Sequence, residues 1–426
     1  MKKLKLLFLL SALYSIGMQA QTYDSYKGLI MAGYQGWFNT VVDGADRGWH
    51  HYGNKQGFKP GACSIDFWPD ITDYPIIYKT PFHFRNGNAA YTFSSHDLST
   101  VDIHFGWMKE YGIDGVFMQR FVIEIKNPTG KKHFDKVLAS AITSAETHGR
   151  AICIMYDLSG MLPGDETVLL HDLDKLEQEY RFKSRENVPT YLYHNGKPLI
   201  AVWGVGFNDR REYGLTEAEK IIDGLRKRGY SVLIGVPTYW RELTEDTEND
   251  RRLHKIIRKC DIVLPWSVGR YDEQSYEAFK CNIQKDMEWC KTNGIDYVPV
   301  CYPGFSWKNK RGPDSFYVDR NSGSFLWKQF STVIEYGAEM IYVAMFDEID
   351  EGTAIFKCEK RSQVPDNREI KFDGIEDHLP SDFYLWLTGE AGRMLRKEKY
   401  FTKVTPAPSE NNTAHHKVQS PKNTLF

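Results

Sequence analysis

The sequence predicts an α/β fold of the (β/α)8 barrel type, with long loops on the face where the strands end. Short β-rich runs alternate with helical stretches through eight units, and that order implies parallel strands joined by helical crossovers. The units fall in one apparent domain of a 426-residue chain, a length such barrels reach when loops are inserted, at roughly 400 residues or more. The turn after the first run, Gly33-Tyr34-Gln35-Gly36, is followed by Trp37 and lacks the G-x-G-x-x-G pattern of a nucleotide-binding open sheet.

The first run is Leu29–Tyr34. A surplus of chain from Asn39 to Leu98 separates it from the first helix, Thr100–Tyr111, where Ser99 and Asp102 make a capping-box pattern. Strand and helix then alternate: Gly115–Gln119 and Lys132–His148, Ala151–Tyr156 and Asp172–Lys183, Leu199–Trp203 and Thr216–Arg228. Val232–Val236 precedes Asn249–Lys259, Ile262–Pro265 precedes Glu273–Asn293, and Tyr297–Tyr302 precedes Ser324–Tyr336. The eighth run, Met340–Phe346, leads through a second surplus, Asp347 to Pro380, into a last helix, Ser381–Leu395. Gly112, Gly149, Gly229 and Gly294 stand just past helix ends, where glycine supplies a left-handed cap.

Flanking segments divide the chain. Lys2, Lys3 and Lys5 precede an apolar run from Leu6 to Tyr14 and a small-residue stretch ending at Ala20, the pattern of a secretory signal peptide over residues 1–20. That run is too short to cross a bilayer, which takes about 20 apolar residues. The mature protein is therefore expected in a periplasm or outside the cell. Residues 21–404 are assigned to the barrel, and 405–426, with Pro406, Pro408, Asn411 and Asn412, to a polar tail expected to be disordered.

Composition narrows the function. Lys and Arg number 54 against 56 Asp and Glu, a net charge of −2, which disfavours nucleic-acid binding through bulk charge. The 7 Cys are scattered without a C-x-x-C pair, and an odd number leaves at least one thiol free. His50 and His51 are adjacent, a spacing that rarely converges on one metal, and no H-E-x-x-H pattern exists. Ser94-Ser95-His96-Asp97 holds pieces of a hydrolase triad in sequence rather than at a strand-to-helix elbow. A monomer with neither cofactor nor metal is expected.

In a barrel of this kind chemistry stands just past each strand. Aromatic residues make up 14% of the chain, and nearly every strand exits into one. The substrate-binding candidates are Tyr34, Trp37, His50, His51, Arg120, Tyr156, Asp157, Trp203, Tyr239, Trp266, Tyr271 and Tyr302. Any one of them could instead pack the barrel top; together they suggest a cleft in which sugar faces rest on rings and sugar hydroxyls meet fixed polar partners.

The segment Phe346-Asp347-Glu348-Ile349-Asp350-Glu351-Gly352-Thr353 follows the last strand. Carboxylates this crowded need a cation, a shared proton or a hydroxyl network to offset their repulsion. The fourth and seventh strands end in Trp203-Gly204-Val205-Gly206 and Tyr302-Pro303-Gly304-Phe305, without a carboxylate. An acid and nucleophile pair on those two strands is therefore excluded.

Glu348-Ile349-Asp350-Glu351-Gly352-Thr353 resembles the Glu-x-x-Glu-Gly-Thr segment of glycoside hydrolase family 99, the endo-α-mannosidases and endo-α-mannanases, with family 71 a more distant likeness. Tyr34-Gln35-Gly36-Trp37-Phe38, Trp49-His50-His51, and His104 with Trp107-Met108 before Gly112-Ile113-Asp114-Gly115-Val116 add to the likeness. The resemblance implies a (β/α)8 barrel and hydrolysis with retention through a 1,2-anhydro sugar. It makes Glu348 the base on the sugar 2-hydroxyl and Glu351 the general acid/base. The chain departs from the family in having Asp347 where Asn is usual, Ile349-Asp350 in place of Trp-His, and Met155-Tyr156-Asp157-Leu158-Ser159 at the third strand. The expected function is a secreted hydrolase cutting α-linked glycans internally, α-mannosides first. The alternatives are a hydrolase of another α-glycan and a glycan-binding barrel without turnover.

Overall fold

A computed structural model describes residues 21–366, 370–408 and 423–425. The expected signal peptide and most of the polar tail lie outside these residues. β1 (Ile30–Tyr34) is buried along its whole length. The excursion after it contains an antiparallel hairpin, β2 (Ile76–His83) and β3 (Ala89–Thr92). α1 (Leu98–Tyr111) starts one residue before the expected cap: Asp97 is its N-cap, and the Ser99 hydroxyl has no partner. The Asp97 carboxylate instead accepts the Tyr78 hydroxyl at 2.7 Å, so the capping box read from Ser99 and Asp102 does not form.

β4 (Gly115–Phe121) runs into a single turn, α2 (Val122–Ile125), and then α3 (Pro128–His148). Asn127 caps α3 by accepting the Thr129 N–H, and Pro128 occupies its first turn, where the missing N–H does no harm. β5 (Ala151–Asp157) and α4 (Glu166–Tyr180) follow. β6 (Tyr193–His194) turns back on β7 (Lys197–Trp203), and α5 (Leu215–Lys227), β8 (Ser231–Pro237), α6 (Arg252–Ile257) and β9 (Ile262–Trp266) continue the alternation. After α7 (Tyr276–Asn293) come β10 (Asp296–Tyr297) and β11 (Val300–Cys301). A small hairpin, β12 (Phe305–Ser306) and β13 (Tyr317–Val318), brackets the turn α8 (Lys308–Arg311). α9 (Ser324–Glu335), β14 (Ile341–Val343) and α10 (Phe383–Leu395) complete the barrel, and β15 (Asn423–Leu425) lies parallel to β2.

The main sheet has the parallel order β10-β9-β8-β7-β5-β4-β1-β14-β11. β10 pairs with β9 and β11 with β14, and only Val298 and Pro299 separate β10 from β11. These two short pieces are therefore halves of the seventh barrel strand, and together they close the circle. Pro299 has no N–H to give but its carbonyl accepts the Tyr342 N–H at 3.0 Å, so the interruption still serves the eighth strand. The (β/α)8 expectation thus holds, and β1 lies beside β14. Among the described residues no helix is long and apolar enough to cross a membrane.

The two surplus segments are sewn together across the β1–β14 side. The Asp66 N–H donates to the Ile349 carbonyl at 3.0 Å, the Glu359 N–H to the Trp68 carbonyl at 2.8 Å, and the Asp70 N–H to the Lys357 carbonyl at 3.1 Å. Trp68 is fully buried in this layer, and its indole N–H donates to the Tyr91 carbonyl at 3.0 Å.

Candidate active site

The loop that leaves β14 is held from several sides before it presents any carboxylate. The Phe346 N–H donates to the Gly33 carbonyl at 2.7 Å, and the Met345 N–H to the Thr353 carbonyl at 3.1 Å, so the loop returns on itself. Asp347 is wholly buried, and its two oxygens accept the Gln35 N–H at 2.7 Å and the Gly36 N–H at 2.9 Å. Gly36 supports this with a left-handed backbone, φ 61°, at a place where a Cβ would lie 2.9 Å from Val137. Burial pushes the Asp347 carboxyl up to about 7 although both amides favour its charged form.

Glu348 points into the cleft. Its Oε1 accepts the Gln35 side-chain N–H at 2.6 Å, and its Oε2 lies 2.6 Å from the Thr353 hydroxyl. Burial, joined by the nearby charges of Glu351 and Asp350, drives its carboxyl well above the usual range. Asp350 behaves oppositely: burial works against its charge, but Lys310 and His51 overcome that and hold its carboxyl below the ordinary value. Its Oδ2 lies 3.0 Å from His51 Nδ1 and 3.4 Å from Lys310 Nζ. Burial lowers His51 to about 4, so its neutral ring donates from Nδ1 to the carboxylate.

Glu351 faces the cleft with Lys310 Nζ 2.8 Å from its Oε1. Its carbonyl accepts the Ser306 N–H at 2.8 Å, which fastens the loop to β12. Gly352 follows with φ 66°, where a Cβ would meet Ser306 N at 2.8 Å, so glycine permits the close approach. The Arg320 guanidinium completes the fastening by donating to the Gly352 and Ala354 carbonyls at 2.9 and 2.7 Å.

Glu348 and Glu351 open on one cleft of about 740 Å³ at the strand ends. Of the residues expected there, Trp37, His51, Asp157, Trp203 and Trp266 line it. Trp37 is packed between the His51 ring, 3.6 Å away and nearly parallel, and Phe121 at 5.3 Å. Trp203 and Trp266 meet edge to face at 5.4 Å. Asp157 accepts the Ser159 N–H at 2.7 Å, and burial raises its carboxyl.

Other expected contacts fall elsewhere. Arg120 and Tyr156 are paired neighbours on β4 and β5, and both reach Asp172 on α4, Arg120 Nη2 at 2.6 Å and the Tyr156 hydroxyl at 2.9 Å. Strand side chains alternate, so the residues beside them, Gln119, Phe121 and Asp157, take the inner face while these two turn to the helices. Tyr34 is buried under the site with its hydroxyl 2.8 Å from His104 Nδ1. Tyr302 donates to the Tyr271 carbonyl, and the Tyr271 hydroxyl donates to Gln329 at 3.0 Å, which places both rings against α9. His50 turns to Glu124, at 3.3 Å, and Tyr239 is anchored by its own N–H to Asp246 at 3.2 Å, neither lining the cleft.

The cleft also holds residues absent from the expected set, chiefly Gln35, Phe207, Arg211, Phe305, Trp307, Lys310 and Phe316. Gln35, Phe305 and Trp307 stand past strand ends and were legible by position. Lys310 lies in a basic turn, Lys308-Asn309-Lys310-Arg311, that reads as solvated, and no spacing ties it to the carboxylates.

No protein-family model and no curated protein matches the chain. Among solved structures it is similar to two of the GH99 endo-α-mannosidase from Bacteroides thetaiotaomicron. The complex with bis-tris-propane gives a TM-score of 0.60 and the other structure 0.61, each at 16% identity and covering 88% of this chain and 99% of that one. A glycoside hydrolase-like protein matches with a TM-score of 0.50 at 13% identity, over 77% of this chain and 96% of its own. Likeness at this identity speaks for the fold, which is the barrel that the family 99 resemblance implied.

Proposed function

We propose that the chain is a secreted glycoside hydrolase that cuts α-linked glycans internally, α-mannosides first, with retention. The observation that supports it most is the pair Glu348 and Glu351, set at the family spacing and opening on one tryptophan-walled cleft. In the first step Glu348 takes the proton of the 2-hydroxyl while that oxygen attacks the anomeric carbon. The bond to the leaving oxygen breaks, and that oxygen takes a proton from Glu351. Water then opens the 1,2-anhydro sugar, giving its proton to Glu351, and the 2-oxygen recovers its proton from Glu348.

A sugar hydroxyl is a weak acid, so its base needs high proton affinity. Burial gives Glu348 that property, while the donors Gln35 and Thr353 steady its charged form. The reading is tested by incubating the protein with α-manno-oligosaccharides and following the first-formed anomer by NMR. An α-product supports it. A product of inverted configuration would overturn it and make Asp157 the residue to test as base for water.

One observation favours a second reading, a glycan-binding barrel without turnover: Lys310 holds Glu351 in an ion pair at 2.8 Å, which ties up the side chain assigned to the leaving oxygen. Tight glycan binding with no release from any α-glycan would decide for it.

A further inference from the structure

The Ser306 N–H bond to the Glu351 carbonyl places the segment from Phe305 to Phe316 beside Glu351. On the reading above, Glu351 protonates the leaving oxygen, so this segment walls the side of the cleft that receives the leaving residue. Phe305, Trp307 and Phe316 form its apolar face, with ring centres 4.9 and 5.8 Å apart, and Phe316 is 48% exposed. Two cations stand on it. Lys310 bridges Glu351 at 2.8 Å and Asp350 at 3.4 Å. The Arg311 guanidinium lies 3.7 Å from the centre of the Trp307 ring.

The other arginines of the cleft are engaged. Arg211 grips Asp209 with a two-pronged contact at 2.8 and 3.0 Å, and Arg270 donates to Asp246 at 2.9 Å. Arg311 has neither a side-chain hydrogen bond nor an ion pair among the described residues. A guanidinium held over an indole face leaves its edge N–H groups free, and these can meet a carboxylate or sulfate with two parallel bonds.

We infer that the leaving residue of the substrate carries an anionic substituent, bound by Arg311 and Lys310, and that its arrival releases Glu351 from Lys310. This inference rests on the proposed hydrolase activity. With a neutral leaving sugar the Lys310–Glu351 ion pair stays intact and keeps the Glu351 side chain turned to the ammonium. An anion between the two cations competes for the ammonium and frees the Glu351 side chain to reach the leaving oxygen. The Lys310 pairing that counts against turnover of neutral glycans becomes a device for selecting charged ones.

The test uses the full chain and a set of α-mannosides that share one glycone. The leaving residue is a neutral hexose, the same hexose carrying a 6-sulfate, or the corresponding uronate; a fourth substrate is the matching α-glycosyl fluoride, which needs no acid. Either anionic substrate should show kcat/KM about tenfold or more above the neutral one, the worth of a charge-assisted bond. The sulfate and uronate arms tell which anion the wall prefers. Lys310→Met should bring the ratio of anionic to neutral turnover close to one, and Lys310→Arg should keep it well above one. Equal kcat/KM for neutral and anionic substrates in the wild type, or an unchanged ratio in Lys310→Met, would overturn the inference. Turnover of the fluoride alongside such a result leaves the hydrolase reading standing, whereas no turnover of the fluoride overturns both.

Discussion

Gln35 reaches both carboxylates that follow β14: its side-chain N–H donates to Glu348 at 2.6 Å and its main-chain N–H to Asp347 at 2.7 Å. β1 and β14 are hydrogen-bonded neighbours, so the residue just past one strand necessarily stands over the loop just past the other. Gln35→Leu keeps the main-chain bond and removes the side-chain donor. A bond to a charged group of this kind carries about ten- to a hundredfold in rate, so kcat should fall by that factor with little change in melting temperature. Steady-state kinetics check it, and a loss confined to KM would show that Gln35 holds the sugar rather than Glu348.

The two glutamates should separate by substrate. Glu351→Gln is expected to lose about a hundred- to ten-thousandfold on natural glycans and far less on a glycosyl fluoride, whose leaving group needs no proton. Glu348→Gln should lose both activities, because no leaving group replaces attack by the 2-oxygen. Wild-type cleavage of a 2-deoxy substrate at a normal rate would contradict the role given to Glu348.

The tryptophans should also part company. Trp37 is only 8% exposed and sandwiched between His51 and Phe121, so Trp37→Ala should destabilise the fold by about 3 kcal/mol or more. Trp266 is half-buried on the cleft wall, and Trp266→Ala should raise KM several-fold while leaving the melting transition cooperative. Thermal melts and Michaelis curves on both variants check the contrast.

Asp347 links stability to pH. Its folded carboxyl sits near 7, above the ordinary Asp value of 3.8, so the folded state binds its proton more tightly than the unfolded chain. The stability from that proton is fully present below about pH 4 and is lost as pH rises through 7, on the order of 4 kcal/mol for a shift of about three units. Asp286, also raised by burial to about 7, adds to the same window. Asp347→Asn should therefore flatten the fall in melting temperature between pH 5 and pH 8 without abolishing it. Parallel slopes in the two proteins would contradict the assignment.

The strands were legible because each is a short apolar run fixed between helices, and a parallel barrel buries such runs on both faces. Side-chain parity was not legible at their ends. Arg120 and Tyr156 sit one residue from Gln119 and Asp157, and one residue is the difference between the cleft and the helical layer. The β2–β3 hairpin escaped because Pro81 and Lys79 break the pattern of an eight-residue strand whose pairing shifts between Lys79 and His83. Glu348 and Glu351 stood out through local crowding, which sequence displays directly. Lys310 did not, because its link to Glu351 depends on how the β12–β13 hairpin folds over the cleft.

The stitching of the first excursion to the last has a kinetic consequence. Asp66 meets Ile349, and Trp68 meets Glu359, across about two thirds of the chain, so the loop bearing both glutamates is braced by partners made much earlier in synthesis. Closing so long a span is entropically expensive, and contacts of this kind form after local ones. The barrel strands can assemble in order from the N-terminus, while Asp66 and Trp68 lack these partners until the eighth strand arrives. Chemical competence is therefore the last property the chain acquires, and a protein cut short before Ile341 would carry most of its strands and none of its chemistry.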